Sequence, residues 1–118
     1  MKTRSMHEMS LCAGVVGLVE DEARKQPFLK VKSITLVIGA FGTVDPQAML
    51  FCFDAVSRGT IAEGARLDFE HVPGAGWCLD CAKTVPLTER FGACPDCGKH
   101  HVQMTAGEEL RVRELEVE

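Results

Sequence analysis

Four cysteines in the last third of the chain restrict its fold more than any other feature. Cys78-Leu79-Asp80-Cys81 and Cys94-Pro95-Asp96-Cys97 are two C-x-x-C pairs with twelve residues between them. Two thiolates three residues apart can turn round one ion on a tight knuckle. A second knuckle completes a tetrahedron of soft sulfur donors, the set that selects zinc. Pro95 fixes φ inside the second knuckle, and Gly98 lets the backbone pass close behind the sulfurs. Two disulfides are the first competing reading. They need an oxidising compartment, and Met1-Lys2-Thr3-Arg4-Ser5 leads into no uninterrupted apolar stretch with a small-residue cleavage site. Rubredoxin-like iron is the second. Cys94-Pro95-Asp96-Cys97-Gly98 suits it, but the short spacer and a reducing cytosol favour redox-silent zinc. The residues therefore predict a closed four-cysteine zinc site in a cytoplasmic protein.

The rest of the chain can build an ordinary core. At 118 residues, 46% apolar and 25% charged, it has the composition of one small globular domain, or of one domain plus a metal-stapled module. The formal net charge of −4 argues against gripping nucleic acid or an anionic membrane by bulk electrostatics. The longest apolar runs, Leu11 to Val19 and Ile34 to Ala40, are too short to span a bilayer.

Periodicity predicts a helix over 7–25, with Met9, Cys12, Val15, Val16 and Val19 on its buried face and Pro27 beyond its end. Gly14 and Gly17 weaken that helix, and their small size suggests close packing on a sheet. Residues 31–38 alternate as a strand, and 39–44 form a loop. Asp45-Pro46 opens a second helix, Asp as cap and Pro at the first helical position. Met49, Cys52, Phe53 and Val56 line its buried face, and Gly59 is its stop. Residues 65–71 read as a second strand, with Leu67 and Phe69 inward and His71 ending it on the inner face. Strand, helix and strand in this order predict a right-handed crossover and two parallel strands. Pro73-Gly74-Ala75-Gly76 reads as a linker. Residues 109–118 are the last strand, whose alternation slips at Arg113-Glu114 as in a β-bulge. With strands 65–71 and 109–117 as antiparallel neighbours, the cysteine module sits in their connection. The expected fold class is α+β: two helices on a small three-stranded mixed sheet, with an inserted zinc ribbon. The core is then discontinuous, 1–72 and 105–118, and the zinc-binding module is 73–104.

No catalytic constellation is present. There is no G-x-S-x-G, no Gly-rich phosphate loop before a helix and no H-E-x-x-H, so the chain is not expected to be an enzyme. Cys12 and Cys52 fall on predicted buried helix faces as small core hydrophobes. His100 and His101 follow the second knuckle, either as an auxiliary metal site or as solvated loop residues. His7, at the head of the first helix, reads by composition alone as a surface residue.

Several stretches taken together carry a resemblance: Met6-His7-Glu8-Met9-Ser10-Leu11, then Val37-Ile38-Gly39 and Asp45, the two C-x-x-C pairs, and Gly107-Glu108-Glu109-Leu110. In that order, over essentially Met6 to Glu118, the chain resembles the HypA/HybF family of hydrogenase-maturation nickel metallochaperones. The resemblance implies an α/β nickel-binding domain carrying a structural zinc module. It implies Ni(2+) as transported cargo, passed with a HypB-type nickel GTPase to the large subunit of [NiFe]-hydrogenase. In some organisms urease is also a client, with urease accessory proteins as partners. Carried over residue by residue, His7 supplies imidazole and amide nitrogen. Glu8 supplies an amide nitrogen and a carboxylate either on the ion or just behind it, and Asp45 reaches the same ion. Nitrogen-rich tetragonal sites suit Ni(II). The two helix heads must then lie close together. The family motif begins at the first residue, whereas Met1 to Ser5 precede Met6 here. Met6 is expected to be the native start, which would keep the α-amine as a donor.

The competing function is a zinc ribbon that binds nucleic acid or a transcription partner. Lys83, Arg90 and Lys99 are balanced there by Asp80, Glu89 and Asp96, without a basic stripe, so neither nucleic acid nor membrane is expected as a partner. The chain's own assembly stays open between monomer and homodimer.

Overall fold

The structure, a computed structural model, describes residues 3–42 and 44–118. Met1 and Lys2, part of the segment ahead of Met6, lie outside the described residues. The elements in chain order are α1 (Thr3–Lys25), β1 (Val31–Gly39), α2 (Pro46–Ser57), β2 (Arg66–Val72), β3 (Ala75–Cys78), β4 (Lys83–Pro86), β5 (Val102–Ala106) and β6 (Leu110–Val117). They form two three-stranded sheets, ordered β2-β1-β6 and β4-β3-β5. The fold is α+β, with two helices, a mixed sheet and a zinc-ribbon-like module. Among the described residues no helix is long and apolar enough to cross a membrane.

The order of the first sheet follows from burial. In β1, Val31, Ser33, Ile34, Leu36, Val37 and Ile38 are all buried, on both faces of the strand. A strand covered on both sides belongs in the middle of its sheet. The strands at 65–71 and 109–117 are therefore not neighbours, because β1 lies between them. The Gly39 N–H donates to the Glu109 carbonyl (2.9 Å) and the Glu118 N–H to the Lys30 carbonyl (2.9 Å), so β1 and β6 run antiparallel. The Ala40 N–H donates to the Val72 carbonyl (2.9 Å), and at the other end the Val31 N–H reaches the Ile61 carbonyl just ahead of β2. Strands β1 and β2 are thus parallel, as a strand-helix-strand unit demands. In β6, Val112 and Leu115 both pack against the core. They are three residues apart, so the alternation does slip between them.

Helix α1 begins four residues earlier than periodicity suggested, since nothing in Thr3-Arg4-Ser5-Met6 breaks a helix. Its buried row also differs. Cys12, Val15, Val16 and Val19 are buried, but Met9 is 44% exposed and Glu8 takes the first place on the row at 0%. Gly14 and Gly17 do not pack on a sheet, because a Cβ on either would meet nothing within 4 Å. They lie on the face of the helix turned away from the Cys12–Val19 row. Helix α2 starts as its sequence requires: Asp45 is the N-cap, its side chain accepts the Gln47 N–H, and Pro46 opens the helix. After Arg58, Gly59 takes φ +77 and turns the chain away. His71 is exposed rather than buried on an inner face, and β2 runs one residue beyond it, to Val72.

The chain divides into two compact units. The first comprises the chain through Leu36, Val44–Phe69 and Val112–Glu118. Its core joins Cys12, Val15, Val16 and Val19 of α1 to Val31, Ile34 and Leu36 of β1, Met49, Cys52 and Phe53 of α2, and Leu67 of β2. The second comprises residues 37–42 and Glu70–Arg111. Here Ala75 and Gly76, read from sequence as linker, begin β3, paired with Pro86 and Val85 of β4 and with β5 on the other side. Gly76 is needed for space: a Cβ there would fall 2.4 Å from Val102 Cγ1.

Another close approach in the second unit yields a test. A Cβ on Gly39 would fall 2.2 Å from the carbonyl carbon of Gly107, backbone that cannot rotate away. Gly39→Ala is therefore expected to destabilise the protein by about 1–3 kcal/mol, as overpacking does. Gly14→Ala, in open space within a helix, is expected to stabilise it by up to about 1 kcal/mol. Urea unfolding of the two variants should move the midpoint in opposite directions; a loss of stability in Gly14→Ala would show that its face is covered.

Candidate metal centres

Two turns of the second unit bring the four cysteines together. Cys78 ends β3 and Cys81 lies in the turn towards β4, whereas Cys94 and Cys97 sit between β4 and β5. The Sγ atoms of Cys78 and Cys97 are 3.7 Å apart and those of Cys81 and Cys94 are 4.0 Å apart. All four lie within 4.8 Å of one another. A tetrahedral ion with metal–sulfur bonds of about 2.3 Å holds its sulfurs about 3.8 Å apart, so the spacing fits a four-coordinate thiophilic metal such as zinc. Cys78 and Cys94 are buried, and Cys97 is the most exposed of the set.

The knuckles are built alike. The Ala82 N–H returns to the Cys78 carbonyl and the Gly98 N–H to the Cys94 carbonyl, each at 2.8 Å. Both residues take positive φ, 51° and 75°. For Ala82 that conformation costs roughly 1–2 kcal/mol, which the turn tolerates because it aims the sulfurs. The Cys81 N–H points at Cys78 Sγ and the Asp96 N–H at Cys94 Sγ, each at 3.4 Å. Such donors favour thiolate over thiol. The backbone N–H of Cys97, with that of Asp96, draws the Cys94 thiol down to about 7 against the opposing effect of desolvation. Cys81 is pushed up to about 12, first by its contacts with the Cys78 and Cys97 sulfurs. Crowded thiols cannot all ionise without a cation among them. Lys83, paired with Asp96, carries positive charge beside Cys81 and Cys94.

The other expected site residues lie in the first unit. His7 is exposed on α1, Glu8 is buried next to it, and Asp45 is partly buried at the head of α2. Glu8 Oε2 accepts the Asp45 N–H at 3.0 Å, joining residues 37 positions apart. This meets the demand that the His7-Glu8 segment and the head of α2 lie together. The three side chains do not converge as the cysteines do: among the described residues only the cysteine quartet forms a tight group of three or more ligating groups. Glu8 Oε1 is buried without a hydrogen-bond partner. An unpaired buried acceptor costs about 1–3 kcal/mol, and more when charged. Burial, then Cys52 and Glu8, push the Cys12 thiol up to about 12, so it stays a neutral core group.

Two polar arrangements were not legible in the sequence. Arg90 donates to the Phe41 carbonyl at 2.8 Å and pairs with Glu108, linking residues far apart in the chain with no local pattern to mark them. His101 Nδ1 lies 2.7 Å from Asp80 Oδ2, outside the cysteine group, and His100 is exposed. The burial of Glu8 did leave a signal, its position four residues before Cys12, but an apolar pattern favours Met9.

The family model for hydrogenase/urease nickel incorporation metallochaperone HypA matches residues 6–117. The hydrogenase maturation factor HypA of Methylocella silvestris is 65% identical over 113 residues, covering 96% of this chain and 100% of that protein. HypA of Rhodopseudomonas palustris is 58% identical over the same length and coverage. Among solved structures, a HypA solution structure superposes with a TM-score of 0.72 at 26% identity, covering 95% of this chain and 96% of that one. The solution structure of the Ni metallochaperone HypA from Helicobacter pylori shares the fold, with a TM-score of 0.68 at 24% identity and coverage of 93% and 96%. The chain belongs to the HypA family of hydrogenase-maturation metallochaperones.

Proposed function

We propose that the chain is a cytoplasmic nickel carrier and not an enzyme. It binds Ni(II) at the head of α1 and passes it, with a HypB-type GTPase, to the large subunit of [NiFe]-hydrogenase; urease and its accessory proteins are a second destination. The donors are the His7 imidazole, amide nitrogens of the His7-Glu8 segment and the Asp45 carboxylate. A structural zinc occupies Cys78, Cys81, Cys94 and Cys97. The observation that carries this reading is the bond from the Asp45 N–H to Glu8 Oε2 at 3.0 Å, which holds the acidic head of α2 beside the His7-Glu8 turn. Membership of the family supports nickel as the cargo.

The state of the helix matters for the amide donors. With α1 running from Thr3, the His7 and Glu8 amides fall in helical turns whose N–H groups are hydrogen-bonded. In a chain that begins at Met6 the same amides belong to the first turn, where N–H groups have no intrahelical partner. They are then free to lose a proton to nickel, alongside the α-amine. Nickel affinity is thus expected to be tighter in protein that begins at Met6 than in the 118-residue chain.

Two measurements test this reading. Protein beginning at Met6 is expected to carry one zinc per chain and to bind one Ni(II) per chain with micromolar or tighter affinity. His7→Ala abolishes nickel binding while zinc and the fold remain; calorimetry showing unchanged nickel binding in that variant would remove His7 from the site. Structural zinc sites contribute roughly 10–16 kcal/mol of apparent binding energy. Cys94→Ser is therefore expected to lose zinc and unfold the cysteine unit, read by metal analysis and amide NMR. Native-like amide dispersion in zinc-free Cys94→Ser would show that the metal is dispensable to that unit.

A further inference from the structure

Among the described residues, Glu8 is the one charged side chain that the fold buries completely. Its burial is directed. Oε2 takes the Asp45 N–H at 3.0 Å, while the Asp45 carboxylate caps the helix by accepting the Gln47 N–H at 3.0 Å and the Asp45 carbonyl accepts the Met49 N–H at 2.9 Å. One turn further along α1, the Cys12 thiol donates to the Met49 carbonyl at 3.4 Å and touches Met49 Sδ at 3.8 Å. Two residues one turn apart on α1 therefore grip two residues one turn apart on α2. That sets the register between the helices at the point where the nickel donors must meet.

We propose that the Glu8 carboxylate is a positioning residue for nickel and not one of its ligands. The proposal rests on the nickel reading above. One oxygen is committed to the Asp45 amide, and the other is buried with it. An ion arriving from solvent at exposed His7 reaches neither without breaking the link that holds Asp45 in place. A carboxylate is suited to this link because its charge complements the positive end of α2 and makes the N–H bond a charge-assisted one. Gln, which still accepts the N–H, keeps the link in weaker form. Met, of similar length, fills the volume and offers only a weakly accepting thioether.

The test compares Glu8→Gln, Glu8→Met and His7→Ala in protein beginning at Met6, using nickel calorimetry and the ligand-field spectrum of the bound ion. Hydrogen exchange at the Asp45 amide is read alongside. In Glu8→Gln nickel affinity is expected to fall by less than about tenfold. In Glu8→Met it falls by about 10–100-fold, the usual cost of losing a group that orients a metal ligand, and the Asp45 amide exchanges faster. In both variants the spectrum of the nickel that does bind is the same as in the parent. A changed spectrum in Glu8→Gln would make the carboxylate a ligand, and parental affinity in Glu8→Met would deny it any part in the site. Either overturns the positioning role alone. Unchanged nickel binding in His7→Ala overturns the nickel reading itself, whatever the Glu8 variants do.

Discussion

Four sulfurs within 4.8 Å of one another are a constraint that covalent chain and packing alone do not satisfy. Thiols so placed compete for their protons, and thiolates repel. A dication at the centre would remove both difficulties at once. The rest of the second unit has little else to hold it. Its strands β3, β4 and β5 have four, four and five residues, and its buried cluster is Cys78, Val85 and Cys94 with Cys81 and Val102 packed against it. Two of those three buried residues belong to the cysteine quartet, so little apolar surface is left to hold the unit by itself.

The first unit follows the opposite rule. Its core is apolar, drawn from both helices and the sheet, and it keeps one charge inside. Glu8 opens the buried row of α1 and bonds across to α2. A helix pair needs no buried carboxylate for packing, and a half-satisfied one is a cost to stability. Retaining it makes sense where geometry at the helix heads matters more than stability. A four-cysteine ribbon and an apolar helix-on-sheet core in one chain offer two different donor sets, soft sulfurs in one unit and the nitrogen and oxygen groups of His7, Glu8 and Asp45 in the other.

Much of this was legible because the signals were local. The cysteine quartet announces itself by spacing, and Asp45-Pro46 announces a helix start by its cap. The M-H-E segment and the quartet identify the family only when read together. What was missed depended on distant partners. Glu8 interrupts an apolar row, so a pattern search passes to Met9. Ala75-Gly76 resembles a linker, yet Gly76 has no room for a Cβ between β4 and β5. The central place of β1 was not marked in the sequence, because Ser33 and Thr35 give one of its faces the look of a surface, and only the burial of Ser33 with Val31 and Val37 shows that face to be covered. Gly14 and Gly17 show the reverse: small residues on a helix suggest contact, yet the structure leaves open space beside them.

The central claim is that the chain holds two chemically distinct metal sites, a sulfur site that retains its ion and a sulfur-free site that carries one. X-ray absorption at the zinc and nickel edges of a single sample loaded with both metals tests it most directly. The account expects a zinc shell of four sulfurs at about 2.3 Å and a nickel shell of nitrogen and oxygen alone. Sulfur around the nickel, or zinc without its four sulfurs, would contradict it.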